Sequence, residues 1–476
     1  MMKTTAATSV PTPAGTLAAI ASPDAVESPF GTLTFFDGMP AGDTVQRSYD
    51  ALDLIRGIDV YLNCVPGASM VATREGIRGA GADAAHKILY TDPRADSASI
   101  VLTANTETTY ATAFFDLAAD GPVVIEAPPN ALGFVNSFWQ RYVGDIGLAG
   151  PDKGAGGKYL LLPPGFGGQV PDGYYVLRSP TFSVWLVLRA LGGVPDILTT
   201  RSYPLAAAGD PPETEFLNFA GTELNLIHRN DFSFYEEVST LVQEEPADAL
   251  DPELAGQLAA IGIIKGQPFT PDARLRAILD NAARIASGLA RTLVFKPRDP
   301  RAYYYPGSSW KQGWIGGSYQ FLADGARLLD ARTLFAFVAC GITPAMAAAG
   351  VGVGSQYAST AEDATGAWLD GSRDYTLTLP AGIPAKNFWA IDIYDPQTRS
   401  LLRTATPWPS ISSHDDITTE DNGDTVIRFG PAAPAGTPNW IQTVPGKGWF
   451  TILRLYGPLE SWFDQTWRPG EIKAAD

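Results

Sequence analysis

The sequence predicts an α+β fold, mainly β, in which two β-sandwich domains flank a helical layer. Three textures along its 476 residues carry that expectation. From 98 to 191 the chain runs in short apolar stretches, SIVLTAN, TYATAFFDL, PVVIEAP, KYLLLPP, YYVLRSP and FSVWLVLR, broken by Gly, Pro and Asp. Such runs read as short strands joined by turns, the pattern of a sandwich or barrel. Between 210 and 330 the apolar spacing turns helical, and after 366 the strand texture returns. A chain of this length exceeds what one hydrophobic core usually organises, so several domains are expected.

In chain order, residues 1–46 are read as a flexible tail, because MMKTTAATSVPTPAGTLAAIASP places Thr, Ser and Pro where a secretory segment would be continuously apolar. Residues 47–205 combine a helical lead-in with the first β-sandwich. Ala51, Leu54, Ile55, Ile58 and Leu62 fall at helical spacing, and Pro66 then starts a second short amphipathic run. Residues 206–365 form the helical layer, with FSFYEEVSTLVQEE, a helix opened by Asp251 and Pro252, and TPDARLRAILDNAARIASGLARTL. Within it, 333–360 carries no charge. Its strongly apolar part, LFAFVACGI, is short, Thr343-Pro344 follows, and the remainder is Ala and Gly. That composition suits a buried helix, a proline-started second helix and a glycine loop rather than a membrane span. Residues 366–476 form the second β-sandwich, with DYTLTLP, NFWAIDIYD, TVIRFG and WFTILRLYGP and turns at Asp370-Gly371, Asn422-Gly423 and Pro445-Gly446.

Charge and side-chain inventory exclude several functions. Thirty-four Lys and Arg against 51 Asp and Glu give a net −17, a field that repels phosphate backbones and anionic lipid. Neither nucleic acid nor a membrane is expected as a partner, and the chain reads as soluble and cytoplasmic. Two cysteines, Cys64 and Cys340, and three histidines, His86, His228 and His414, cannot build a disulfide scaffold or a Cys/His zinc module. No metal or other cofactor is expected. GVGVGS at 350–355 lacks the third glycine and the βαβ context of a dinucleotide loop, and no G-x-S-x-G elbow occurs.

TANTETTYATAFFDLAADGPVVIEAP, continued by YLLLPPGFGGQVPDGYYVLRSPTFSVWLVLR and AAIGIIKGQPF, resembles the "domain of unknown function" family numbered twelve fifty-four. LDGSRDYTLTLPAGIPAKNFWAIDIYD, then NW and FTILRLYGPLESWFDQTWRPGEI, resembles the companion family numbered twelve fourteen. The resemblance implies two jelly-roll-like β-sandwich domains flanking a helical layer, and it leaves the chemistry open, because fold does not fix function. The chain departs from the family pattern in three places. Glu107 stands where the family tends to have Asp, Pro407-Trp408-Pro409 replaces an Arg-Tyr, and Asn439-Trp440 continues as Ile441-Gln442.

Asn105, Glu107, Thr108 and Tyr110 gather an amide, a carboxylate, a hydroxyl and a phenol at the mouth of an expected strand. On a strand, Asn105 and Glu107 would share one face and Thr108 and Tyr110 the other. Glu107, Asn105 and Tyr110 are the candidate catalytic residues, with Glu107 as acid or base; the bland alternative is a turn pinned by Asn and Thr. Candidate substrate-binding residues are Trp139 and Arg141 in FWQRY, and Trp389, Asn439, Trp440 and Arg454 in the second domain, where aromatic and polar residues alternate with Asp392, Tyr394 and Tyr456. The same alternation describes a sandwich core with satisfied polar tips. The reading that results is a hydrolase or lyase using carboxylate acid/base chemistry on a neutral, ring-containing small molecule or glycan. Its alternative is a non-catalytic protein that binds a small molecule or carbohydrate. The aromatic-rich sandwich surfaces favour a homo-oligomer over a monomer.

Overall fold

The computed structural model describes residues 13–475 apart from 191, 349, 434 and 435. The architecture is α+β with several sheets. Part of the expected tail, 1–12, lies outside the described residues; beyond it come a short helix, Ala14–Ile20, and a small three-stranded sheet between Ala25 and Pro40.

Helix α1, Thr44–Gly79, is one continuous helix of 36 residues, where the sequence suggested a restart at Pro66. Proline has no N–H to give the carbonyl four residues back, which normally interrupts the ladder. Here Thr333 donates its hydroxyl to that carbonyl, Leu62 O, at 2.9 Å, so the bond is replaced from a neighbouring helix. From Cys64 to Arg74 every residue of α1 is buried, and the helix forms the axis of the core rather than an amphipathic surface rod. Close packing depends on its glycines: a Cβ at Gly57 would stand 2.8 Å from the Ala282 Cβ, and one at Gly67 2.9 Å from the Trp139 ring.

The first sandwich has two facing sheets. Its strands are β1 Lys87–Tyr90, β2 Tyr110–Asp116, β3 Val123–Ala127, β4 Ala131–Ser137, β5 Tyr142–Gly147, β6 Gly157–Leu162, β7 Tyr175–Arg178, β8 Ser183–Ala190, β9 Arg201–Pro204 and β10 Glu215–Asn218. One sheet runs β10-β1-β2-β8-β4-β5 and the other β7-β6-β3-β9. Phe115, Val135 and Leu186 of the first meet Val123, Ile125 and Leu161 of the second in one apolar layer. Most pairs are antiparallel, but β6–β7 and β1–β10 are parallel.

Helices α2 Ser233–Glu244, α3 Pro252–Ala260, α4 Ala273–Phe295 and α5 Leu329–Val338 complete the helical layer and pack around α1. Asp251 and Asp272 cap α3 and α4 by accepting from Glu253 N and Leu275 N, so the expected start signals operate. The uncharged segment is divided as its composition suggests: Leu334 to Phe337 are buried, Pro344–Ala347 forms a short helix capped by Thr343, and Val351 and Val353 are exposed on the glycine loop. Among the described residues no helix is long and apolar enough to cross a membrane.

The second sandwich comprises β11 Ser355–Thr360, β12 Tyr375–Leu379, β13 Ala385–Tyr394, β14 Ser410–Ser412, β15 Thr425–Gly430, β16 Trp440–Gln442, β17 Phe450–Pro458 and β18 Lys473–Ala474. They form the sheets β11-β17-β13-β14 and β16-β15-β12-β18. Two strands lie outside the domain limits read from texture. β10 joins the first sandwich from beyond residue 205, and β11 joins the second from before 366. Both are short and follow loops, so their partners are chosen by sheet edges distant in sequence rather than by local pattern.

Candidate functional site

The outer faces of the two sandwiches, closed by α5 and its following loop, enclose a cavity of about 220 Å³. Strand alternation builds its first wall. β2 and β8 are antiparallel with Tyr110 opposite Arg189, Thr112 opposite Val187 and Phe114 opposite Trp185. Ala111, Ala113 and Phe115 therefore fill the sandwich interior, and the intervening residues face the helical layer. Tyr110, Thr112, Trp185, Val187 and Arg189 line the cavity, with Phe134 of β4 beside them. The second wall follows the same rule. On β11 and β17, Tyr357 opposes Arg454 and Ser359 opposes Ile452; these four face the cavity, while Ala358, Leu453 and Leu455 enter the second core. Leu334, Phe335 and Val338 of α5, with Cys340, complete the enclosure.

Charges in this apolar cavity are few. Arg454 donates to Asp392 Oδ2 at 2.9 Å, to the Tyr394 hydroxyl at 2.7 Å and to Thr103 O at 2.6 Å. Burial raises the Asp392 carboxyl to about 6; Arg454 pulls it down and Glu107 pushes it up. Lys311 lines the cavity too, its amine 3.2 Å from Ser309 O and 3.8 Å from Glu362, and burial lowers it to about 8. Burial pushes the Cys340 thiol up to about 12, which keeps it protonated and poorly nucleophilic. Asp96 turns its carboxylate to the backbone N–H groups of Ala98 and Gly221. The Arg189 guanidinium lies 4.8 Å from the centre of the Tyr110 ring. Among the described residues, neither a carboxylate nor any other acceptor binds it.

The candidate residues divide sharply. The strand begins only at Tyr110, and 105–108 is a turn, so the expected two-face alternation does not extend to Asn105 and Glu107. Asn105 Oδ1 accepts from Glu107 N, Thr108 N and the Thr108 hydroxyl, each at 3.0 Å, and its Nδ2 donates to the Tyr110 hydroxyl. Asn105 thus shapes the turn and aims Tyr110. Glu107 is buried at the domain junction rather than in the cavity wall. It accepts from the Thr106 hydroxyl at 2.8 Å and lies 3.6 Å from His414 and 3.9 Å from Arg94. Arg94 in turn covers the ring of Trp408 at 4.4 Å, in the loop where the chain departs from the family pattern, and Ser97 N donates to Pro407 O at 2.9 Å.

Of the candidate binding residues, Arg454 alone lines the cavity. Trp139 packs on Gly67 of α1, and Arg141 donates to Ala249 O at 2.9 Å near the surface. Trp389 belongs to the second core. Asn439, at φ +49°, ties Thr418 and Val426 together through its amide, and Trp440 begins β16. Arg189, Lys311 and Tyr357 were not singled out from sequence. A signal existed for two of them: Arg189 closes the apolar run FSVWLVLR, and Lys311 sits within the aromatic stretch YYYPGSSWKQGW. Among the described residues no three His, Cys, Asp or Glu side chains converge to hold a metal ion.

Residues 86–202 match the family described as "Protein of unknown function (DUF1254)", and residues 354–460 match "Protein of unknown function (DUF1214)". These are the two families that the sequence resembles, in the expected order. No curated protein matches the chain. Among solved structures, the VPA0106 protein from Vibrio parahaemolyticus is similar in fold, with a TM-score of 0.53 and 16% identity over 89% of this chain and 100% of that one. An uncharacterised protein from Burkholderia cenocepacia matches with a TM-score of 0.36 and 13% identity over 91% and 96%.

Proposed function

We propose that the protein binds a small molecule with an apolar body in the cavity between its two sandwiches. The observation that carries this reading is the wall itself: aromatic and aliphatic side chains from both domains and from α5 supply most of its exposed surface, and the hydroxyls of Thr73, Ser99, Thr103 and Thr112 donate to backbone carbonyls. Ligand sites have this make-up. Acid/base catalysis by Glu107 and Asp392 is the weaker reading, because neither carboxylate lines the cavity. A glycan is disfavoured as well, since the exposed wall is mainly apolar and the Thr73, Ser99, Thr103 and Thr112 hydroxyls already donate to backbone carbonyls. A hydrolase or lyase remains the second reading on the strength of Lys311, whose amine lines the cavity and is lowered by burial to about 8 from its ordinary 10.5.

The test is displacement of an environment-sensitive naphthalene fluorophore by a panel of small apolar compounds, repeated with cavity-filling variants. Val187→Phe and Val338→Trp place new rings in the lining from two different elements. Both should abolish binding while near-ultraviolet circular dichroism stays that of the native fold. Undiminished binding in both folded variants would remove the cavity from the function.

A further inference from the structure

We propose that the ligand's polar end is a single carboxylate, received by Arg189 with the hydroxyl of Tyr110 beside it. This rests on the reading that the cavity takes an apolar-bodied small molecule, and it names the chemistry of that molecule's head. Arg189 and Tyr110 both line the cavity, and among the described residues neither side chain donates to an acceptor. Arg189 stands opposite Tyr110 in the β2–β8 register, and its titratable neighbours include Tyr110, Tyr357, Tyr456, Arg454 and Cys340, none of which supplies a negative charge at neutral pH. The Tyr110 oxygen already accepts from Asn105 Nδ2, so its own proton is free to be donated.

Donors left without acceptors in an apolar wall are costly, and a guanidinium fork beside a phenol matches the two oxygens and planar shape of a carboxylate. One negative charge is favoured over two because the other cations at the wall have partners: Arg454 is held by Asp392 and Lys311 by Glu362. Arg189 is the uncompensated one. The apolar walls next to it provide for the rest of the molecule, so the class that fits is a monocarboxylic acid with an aliphatic or aromatic body. The net charge of −17 slows the approach of such an anion, but a site within the protein is decided by its immediate partners.

The experiment compares matched probes by titration calorimetry on the full chain: straight-chain carboxylic acids of six to ten carbons (~C6–C10, the span suited to a small pocket), the corresponding primary alcohols, and the corresponding alkyl phosphates. The acids should bind about tenfold or more tighter than the alcohols. Arg189→Met should erase that preference and leave alcohol binding within about threefold, whereas Arg189→Lys keeps part of it. Tyr110→Phe should weaken the acids selectively. Equal binding of acid and alcohol by the wild-type protein would overturn the proposal while leaving the apolar cavity in use. An alkyl phosphate that binds more tightly than its matched acid would overturn the single-charge class. Failure of every probe to bind would remove the cavity reading itself.

Discussion

Arg454 of β17 holds the Asp392 carboxylate of neighbouring β13 at 2.9 Å and, with its other end, the Thr103 carbonyl of the first domain at 2.6 Å. Tyr394 extends the same link by donating to Ala104 O at 2.8 Å. One guanidinium therefore joins a strand pair inside the second sandwich to the turn that carries Asn105 and Tyr110. Because both charges are buried, the pair matters chiefly through the cost of breaking it.

Arg454→Met should lower stability by about 3–5 kcal/mol, the usual cost of leaving one buried partner alone. The double variant Arg454→Met with Asp392→Asn should recover much of that loss in denaturant titrations. A double variant as unstable as the single one would show that the Thr103 contact, not the ion pair, carries the stabilisation.

Glu107→Gln should move Asp392 rather than the cavity. Burial raises Asp392 to about 6 from its ordinary 3.8, with the Glu107 charge contributing. The folded state thus holds this proton more tightly than the unfolded one, and the group's contribution to stability declines as pH rises from about 4 to 6. Neutralising residue 107 should shift the Asp392 titration downward in carboxyl-carbon NMR and shrink that decline. Binding in the cavity should change by less than about threefold, an amount worth under ~1 kcal/mol. A large binding loss would place Glu107 in the ligand site after all.

Glu237 offers a second test with the same sign. Its carboxylate accepts from Arg229 N at 3.2 Å and is nearly buried, and burial pushes it up to about 8 from 4.5. Between those values the unfolded chain is ionised while the folded chain keeps its proton, so stability is lost as pH climbs through the window. Glu237→Gln retains an acceptor for Arg229 and cannot ionise. Its stability relative to wild type should rise from pH 5 to pH 8 by at least ~1 kcal/mol and then level off. Melting curves that stay parallel across this range would contradict the assignment.

Thr333→Val should cost about 1–2 kcal/mol, because it strands the Leu62 carbonyl that Pro66 cannot serve. In a Pro66→Ala background the new amide can take over that carbonyl, and the Thr333 substitution should become nearly silent. The coupling is read from a double-mutant cycle; additive effects would mean that Thr333 stabilises α1 by other contacts.

Much of the fold was legible because its signals are local. Asp251-Pro252 and Asp272 cap helices by bonds spanning two or three residues, and alternation in TYATAFFDL puts Ala111, Ala113 and Phe115 on one face whatever the strand pairs with. The site was legible only in part for the opposite reason. Asn105, Glu107 and Tyr110 drew notice as a cluster of polar types, yet whether each faces a cavity, a turn or a domain junction depends on where the strand starts and on what packs against it. Trp139 and Trp389 belong to residue types that suit a ligand platform and a core alike, and burial assigned both to cores.

By itself, the sequence determined the strand–helix–strand succession and the helix start at Asp251-Pro252, since each follows from backbone preferences and spacing within a few residues. Tertiary structure alone decided that Arg189 stands opposite Tyr110, that Arg454 reaches Thr103 and that Thr333 serves Leu62. Those partners lie far apart along the chain, and they meet because burying apolar faces brings sheets and helices together. That force is non-directional and records no partner in any short stretch of residues.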